Sequence, residues 1–239
     1  MTRPLLVVRP EPGNRATVAA ARALGLTAWG EPLFRVVPAA WTPPPALEFD
    51  AVLIGSANAL RHGGEALASY TALPAYVVGQ ATAEAARDAG FSVAAIGAGG
   101  LQDLIACLAH DNRRRVLRLA GAEHVALAPP ASTEIVTVVV YEALPLPMSA
   151  DCGALLAQGA VALLHSAAAA QHFAAECDRL RVARGAVALA CLGPRIAAAA
   201  CGEGWASVAS AQRPDDSALL ALAREMCQNA GFGDTDDNG

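Results

Sequence analysis

The sequence predicts an α/β protein built from two similar parallel-sheet domains joined by a two-stranded β linker, with a cleft between the domains. Three observations carry this. Short apolar runs alternate with alanine-rich helical stretches along the whole chain, the pattern of one half returns in the other, and two proline-bounded β-rich segments lie between the repeat units. Strands alternating with helices imply parallel sheets, because a parallel crossover needs an intervening element to bring the chain back. A repeat near half the chain length is too long for a solenoid and means two domains.

Taken in order, the strands are LLVV at 5–8, AVLI at 51–54, AYVV at 75–78, VLRL at 116–119, VALL at 161–164 and ALACL at 188–192. Each is a short apolar run of the kind expected for a strand buried on both faces. The segment AVLIGSANALRH at 51–62 returns in outline as VALLHSAAAAQH at 161–172, and VVGQATAEAARDAGF at 77–91 returns as CLGPRIAAAACGEGW at 191–205. Gly79 to Gly90 and Gly193 to Gly204 span the same distance, so a glycine is expected to end each helix in register. EPLFRVVP at 31–38 and VVVYEALPLP at 138–147 read as paired linker strands, at 33–38 and 138–145. One domain is then 1–35 plus 146–227, and the other is 39–140. The polar, glycine-rich stretch 228–239 is expected to be a disordered tail. Ligands of such proteins bind at the carboxyl ends of strands, which places the functional cleft between the two domains.

Composition narrows the function. Apolar residues make up 54% of the chain, and the formal net charge is -5. Much of the apolar content is alanine, which favours helix but buries little area, so the strand residues must supply the bulk of the core. All basic residues are arginine, and the absence of lysine excludes Schiff-base chemistry with pyridoxal phosphate and a phosphate-binding P-loop. No basic stripe suggests a nucleic-acid partner. The six cysteines form no CxxC pair, which argues against a zinc site and a disulfide framework, and they read as small buried hydrophobes in a reducing compartment. The apolar run near the N-terminus is too short for a signal-peptide core. The charge-free stretch from Cys152 to Ala175 is broken by glycine, glutamine and histidine into helix, strand and helix. A cytoplasmic monomer without a membrane or metal partner is expected.

Ser56, Thr82 and Ser166 each follow a strand and open a helix, where a hydroxyl can cap the first turn. Several helix N-termini converging on one cleft would bind anions without lysine. Gly97, Gly99 and Gly100 lack the third glycine of a dinucleotide fingerprint, because position 102 is Gln, and read as a loop before a helix at 101–109. His165 beside Ser166 does not make a triad, since neighbouring side chains on a strand diverge. His62, His110, His124 and His172 lack metal-ligand spacing and read as surface or cap residues. Arg113 to Arg115 read as a solvated turn. Tyr141 stands apart: its linker strand should border the cleft, and a phenol there can donate a proton.

An ordered set of segments resembles the uroporphyrinogen-III synthase family over nearly the whole chain. These are RP at 9–10, GSANALR at 55–61, VGQATAEAARDAGF at 78–91, GGLQDL at 99–104, LAGAEH at 119–124, VYEALP at 140–145, HS at 165–166, LGP at 192–194 and RP at 213–214. The resemblance implies a lyase of tetrapyrrole and heme biosynthesis that closes hydroxymethylbilane to uroporphyrinogen III. It does so with loss of water and inversion of ring D through a spiro intermediate, and without a cofactor. The upstream hydroxymethylbilane synthase could deliver the substrate. The family's tyrosine maps onto Tyr141, expected to assist departure of the hydroxyl. Its cleft-lining hydroxyls map onto Ser56, Thr82 and Ser166. Asn58 of GSANALR is a further expected substrate contact, and Arg9, Arg61 and Arg195 are the expected partners of the substrate carboxylates. The chain departs from the family at Arg195 and Ile196, where two threonines or Thr-Ala follow Gly-Pro, at Asp215, where threonine is customary, and at His124, where arginine is frequent. Arg195, Ile196 and Asp215 motivate the alternative of a non-catalytic tetrapyrrole or small-anion binding module.

Overall fold

The computed structural model describes residues 2–97, 100–200 and 202–228. The chain divides into two compact units, Met1–Arg35 with Pro145–Gly239 (unit 1) and Val36–Leu144 (unit 2). It opens with β1 (Leu5–Val7), α1 (Gly13–Ala23), β2 (Ala28–Gly30) and β3 (Phe34–Pro38). Unit 2 continues with β4 (Ala51–Ile54), α2 (Ala57–His62), β5 (Ala75–Val78), α3 (Gln80–Asp88), β6 (Val93–Gly97), α4 (Leu101–His110), β7 (Arg115–Gly121) and β8 (Glu134–Pro145). Unit 1 is completed by α5 (Ala150–Ala157), β9 (Ala160–Leu164), α6 (Ala167–Arg179), β10 (Val187–Cys191), α7 (Pro194–Ala199), β11 (Ser207–Ser210) and α8 (Asp216–Gln228). Gln228 closes α8, and the rest of the expected tail lies outside the described residues.

The sheet of unit 1 runs β11-β10-β9-β1-β2, with every pair parallel. That of unit 2 runs β3-β8-β7-β4-β5-β6, parallel from β8 to β6. The two proline-bounded strands are neighbours in this sheet. Leu146 donates to the Leu33 carbonyl and Ala39 to that of Val140, so β3 and β8 run in opposite directions.

The strand sequences explain why helices cover both faces. Successive strand residues point to opposite faces, and all four residues of β4 are buried, so each face needs its own cover. Val52 and Ile54 pack with Val77, Leu117, Ala83 and Ala86 of α3, while Leu53 packs with Tyr76, Leu104 and Leu108 of α4. In unit 1, Leu5, Val7, Val161 and Leu163 meet Val18 and Ala21 of α1 and Leu219 and Ala223 of α8. Strand residues supply the bulk, and alanines let the helices approach.

Several expectations change. Gly90, at φ +88°, follows the last turn of α3, and its N–H bonds the Arg87 carbonyl. Its expected counterpart Gly204 ends no helix, because α7 stops at Ala199. The repeat therefore holds in strand and turn but not in helix length. Two of the three arginines of the 113–115 run are partnered, and Arg114 is exposed as a solvated turn requires. Arg113 donates to the Tyr76 hydroxyl (3.4 Å), and Arg115 lies 3.3 Å from Glu48 and 3.5 Å from Glu134, with its guanidinium over Phe49. Cys152, Cys177, Cys191 and Cys227 are buried, but Cys107 is exposed on α4, and Cys201 lies outside the described residues. Burial pushes the thiols of Cys152 and Cys177 up to about 12, so they pack as inert apolar groups.

Candidate functional site

Counted within its own unit, the strand order of unit 1 is 2-1-3-4-5, and that of the parallel strands of unit 2 is 3-2-1-4-5. The order reverses between β1 and β9 in the first and between β4 and β7 in the second. Open α/β sheets take ligands outside the carboxyl ends of the strands at such a reversal.

In unit 2 the carboxyl end of β4 delivers Gly55 and Ser56, and that of β7 delivers Gly121. A cavity of about 250 Å³ opens there, lined among others by Ser56, Arg118, Gly121, His124 and Tyr141. Ser56 is the N-cap of α2, its hydroxyl accepting from the Asn58 N–H at 3.2 Å. A register shift after Ala120 sets Gly121 opposite Tyr141. The tyrosine ring sits close against that glycine: a Cβ at Gly121 would come within 2.7 Å of Cε2 and Cζ and 3.0 Å of the hydroxyl. His124 meets the Gly121 carbonyl through Nδ1 at 2.8 Å.

Arg118 is the member of this cavity that sequence reasoning missed. Its side chain is only 4% exposed, and Nη1 donates to the Val125 carbonyl at 2.9 Å. Desolvation pulls its pKa below the ordinary arginine value, with the Tyr141 phenol acting the other way. The signal was present, since one arginine interrupts the otherwise apolar VLRL run of a central strand.

The other unit 2 candidates lie elsewhere. Arg61 is exposed on α2 and donates to the Asn58 side-chain oxygen at 3.3 Å, and neither residue lines the cavity. Thr82 does not open α3. The cap position is Gly79, and Thr82 is three residues further on, 6% exposed. The glycine, at φ +76°, makes the turn that the hydroxyl was expected to make.

In unit 1, Arg9 and His165 follow the two strands that flank the reversal. Arg9 is already engaged, with Nη1 2.6 Å from Asp216 Oδ2 and 3.3 Å from the Thr17 hydroxyl. His165 Nε2 lies 3.5 Å from the other oxygen of Asp216, and both ring nitrogens are buried without a hydrogen bond among the described residues. Asp216, also missed in the sequence, thus joins the two residues. Contact with His165, and then the Arg9 charge, holds its carboxyl at about 2. Ser166 caps α6 by accepting from the Ala169 N–H at 3.1 Å. Arg195 is exposed near the start of α7 and lines a second cavity of about 400 Å³ with Ala167, Gly193, Pro194, Ile196 and Pro214. Asp215 accepts from the Ala218 N–H at 2.8 Å, an N-cap role in which aspartate and threonine both serve.

Burial, reinforced by Arg9, lowers the pKa of His165 against the pull of Asp216. The unfolded chain then takes up a proton near pH 6.5 that the folded chain refuses, so unit 1 loses stability as pH falls below about 6.5. The depressed Asp216 acts in the same direction lower down, its contribution being lost as pH falls from its unfolded value near 3.8 towards about 2. We expect His165→Asn to flatten the decline in urea midpoint between pH 7 and 5. An unchanged slope in that variant would remove His165 as its source.

The fold defines a doubly wound α/β protein in two copies, each with a serine just past the carboxyl end of one strand that flanks the reversal and an arginine on or just past the other. The chain belongs to the family described as uroporphyrinogen-III synthase HemD, whose model matches residues 15–221. Membership makes it a lyase-type enzyme of tetrapyrrole and heme biosynthesis acting on hydroxymethylbilane. Solved structures of Thermus thermophilus uroporphyrinogen III synthase are similar over most of its length. A mutant selenomethionine derivative is 16% identical, with 95% of this chain and 100% of that chain covered and a TM-score of 0.49. The wild type in a second crystal form is 17% identical, with 94% and 97% covered and a TM-score of 0.39. A third structure is 15% identical, with 95% and 100% covered and a TM-score of 0.39. No curated protein matches. Among the described residues no helix is long and apolar enough to cross a membrane, and no group of histidine, cysteine, aspartate and glutamate is arranged to hold a metal.

Proposed function

We propose that the protein acts as a hydro-lyase on hydroxymethylbilane, with Tyr141 as the group that assists the leaving hydroxyl. The phenol donates its proton as the terminal C–O bond breaks, water departs, and the adjacent pyrrole nitrogen supplies the electron pair that forms an azafulvene. The substituted carbon of ring D attacks that centre to give a spiro intermediate. The bond from this carbon to the methylene of ring C then breaks, and that methylene rejoins ring D at its free α carbon, whose displaced proton restores the Tyr141 phenol and leaves uroporphyrinogen III with ring D reversed. The pyrroles supply the push, so the step asks for no cofactor. Left alone the bilane closes without inversion, and the protein's task is to hold the geometry that favours the substituted position.

The observation that carries this reading is the shared cavity of Ser56 and Tyr141 at the strand reversal of unit 2. Ser56, Asn58 and Arg61 of unit 2 and Arg9, Ser166 and Arg195 of unit 1 are the proposed substrate contacts. Thr82 contributes through the packing of α3, and Arg9 must exchange Asp216 for a substrate carboxylate. The protein acts as a cytoplasmic monomer that receives its substrate from the upstream hydroxymethylbilane synthase. The test is the rate at which enzymatically generated hydroxymethylbilane closes to a macrocycle. Acceleration above spontaneous closure supports the reading, and none would overturn it.

Gly121→Ala should be nearly as damaging as loss of the tyrosine hydroxyl. Its methyl group must displace the Tyr141 ring, two carbons of which lie 2.7 Å from where that methyl would sit, and an ångström of misplacement can cost about 10²-fold in rate. We expect turnover to fall by about that factor while stability falls by only about 1–3 kcal/mol. Turnover within about threefold of the unsubstituted protein, in steady-state kinetics of bilane closure, would show that the ring position is not critical.

A further inference from the structure

We infer that Arg118 is a carboxylate-binding residue that takes one substrate carboxylate into the unit 2 cavity beside Tyr141. This deepens the proposed function and rests on it. Arg118 projects from the middle of β7, a central strand whose remaining residues from Val116 to Gly121 are buried with it. A cation in such a place ordinarily has a carboxylate partner, because burying an unpaired charge is costly. Arg118 has none among the described residues. Its one hydrogen bond among them is to the Val125 carbonyl, and the one ionisable group acting on it is the Tyr141 phenol. Glu123 lines the same cavity but is exposed and makes no ion pair with it.

Arg118 lines the cavity, and its single hydrogen bond leaves most of the guanidinium donors uncommitted, in a fork matched to a carboxylate. Ser56 and Tyr141 line the same cavity. A carboxylate bound there would offset, by its opposite charge, the desolvation that now depresses the arginine's pKa. It would also fix the pyrrole bearing it next to the proposed proton donor. Arg118 would be a specificity-determining contact: it selects substrates carrying an acidic side chain at that pyrrole, and it leaves the proton transfer to Tyr141.

The test uses the full chain and the variants Arg118→Met and Arg118→Lys. Replacing buried charge by apolar groups of similar volume is often neutral or stabilising, and thermal melting checks the fold of each variant directly. We expect Arg118→Met to raise KM for hydroxymethylbilane at least tenfold with kcat within about threefold, and Arg118→Lys to recover part of the loss. Independently of catalysis, sodium propionate at constant ionic strength should raise the melting midpoint of the unsubstituted protein but not that of Arg118→Met. The propionate response does not depend on turnover, so it separates a failure of this site from a failure of the synthase reading. An unchanged KM in a folded Arg118→Met protein, or an equal propionate response in both proteins, would overturn the assignment.

Discussion

Tyr141→Phe should lower turnover of hydroxymethylbilane by about 10²-fold while leaving KM and the melting temperature nearly unchanged. The substitution removes only the phenolic hydroxyl. The ring keeps its seat on Gly121, and the β8 backbone keeps its bond from the Ala122 N–H to the Tyr141 carbonyl. An interaction present only in the transition state shows in kcat and not in KM. The pyrrole nitrogen already pushes the hydroxyl out, so a loss nearer tenfold would still fit a proton donor. Single-turnover rates with melting curves measured in parallel make the distinction. Unchanged turnover would take tyrosine out of the chemistry and leave a protein that works by holding the bilane's conformation alone.

Phe173→Ala should destabilise unit 1 by about 3–5 kcal/mol, a large share of the roughly 5–15 kcal/mol that holds a domain folded. Phe173 is fully buried on α6, and its ring stacks on Trp205 at 5.9 Å. The other buried residues of that helix face are Ala169, Ala170, Ala174, Glu176 and Cys177. Small neighbours cannot reach in to fill the space left by the ring, so the site collapses poorly and the cost lies at the high end for such a truncation. Urea unfolding followed by tryptophan fluorescence would measure it. A loss below about 1 kcal/mol would mean that the alanine-rich helices repack more freely than their close approach suggests.

The fold was legible where strands are buried on both faces. AVLI and AYVV coincide with β4 and β5 residue for residue, because a central strand has no polar side and reads as one apolar run. The strands that no such run reveals, β2, β6 and β11, each lie at the edge of a sheet. Their sequences AWG, VAAIG and SVAS alternate or dilute the apolar signal, and β2 and β11 are too short or too exposed to form a pattern. The helix after Gly193 is shorter than expected for a different reason: an alanine run is compatible with a long helix but does not require one, and α7 ends after six residues.

The candidate site was legible in part. Ser56 and Ser166 could be recognised because a serine between a strand and a helix has a local task that the backbone imposes. Thr82 shows the limit of that inference, since the glycine three residues earlier took the cap and left the hydroxyl buried. Tyr141 was found through its place on a linker strand and its resemblance to the family. Its support by Gly121 depends on a register shift between two strands, which no local pattern encodes. Arg118 and Asp216 were hidden for opposite reasons. Arg118 was absorbed into an apolar strand. Asp216 is outwardly an ordinary acid in the first turn of a helix, and its contacts to Arg9 and His165 depend on tertiary structure.

The central claim is positional selection during ring closure, and the isomer composition of the product tests it most directly. Hydroxymethylbilane generated enzymatically would be consumed by the protein, the products oxidised to porphyrins, and isomers I and III separated chromatographically. The account predicts isomer III as the main product, formed faster than spontaneous closure yields isomer I. Isomer I alone, formed at the spontaneous rate, would contradict it.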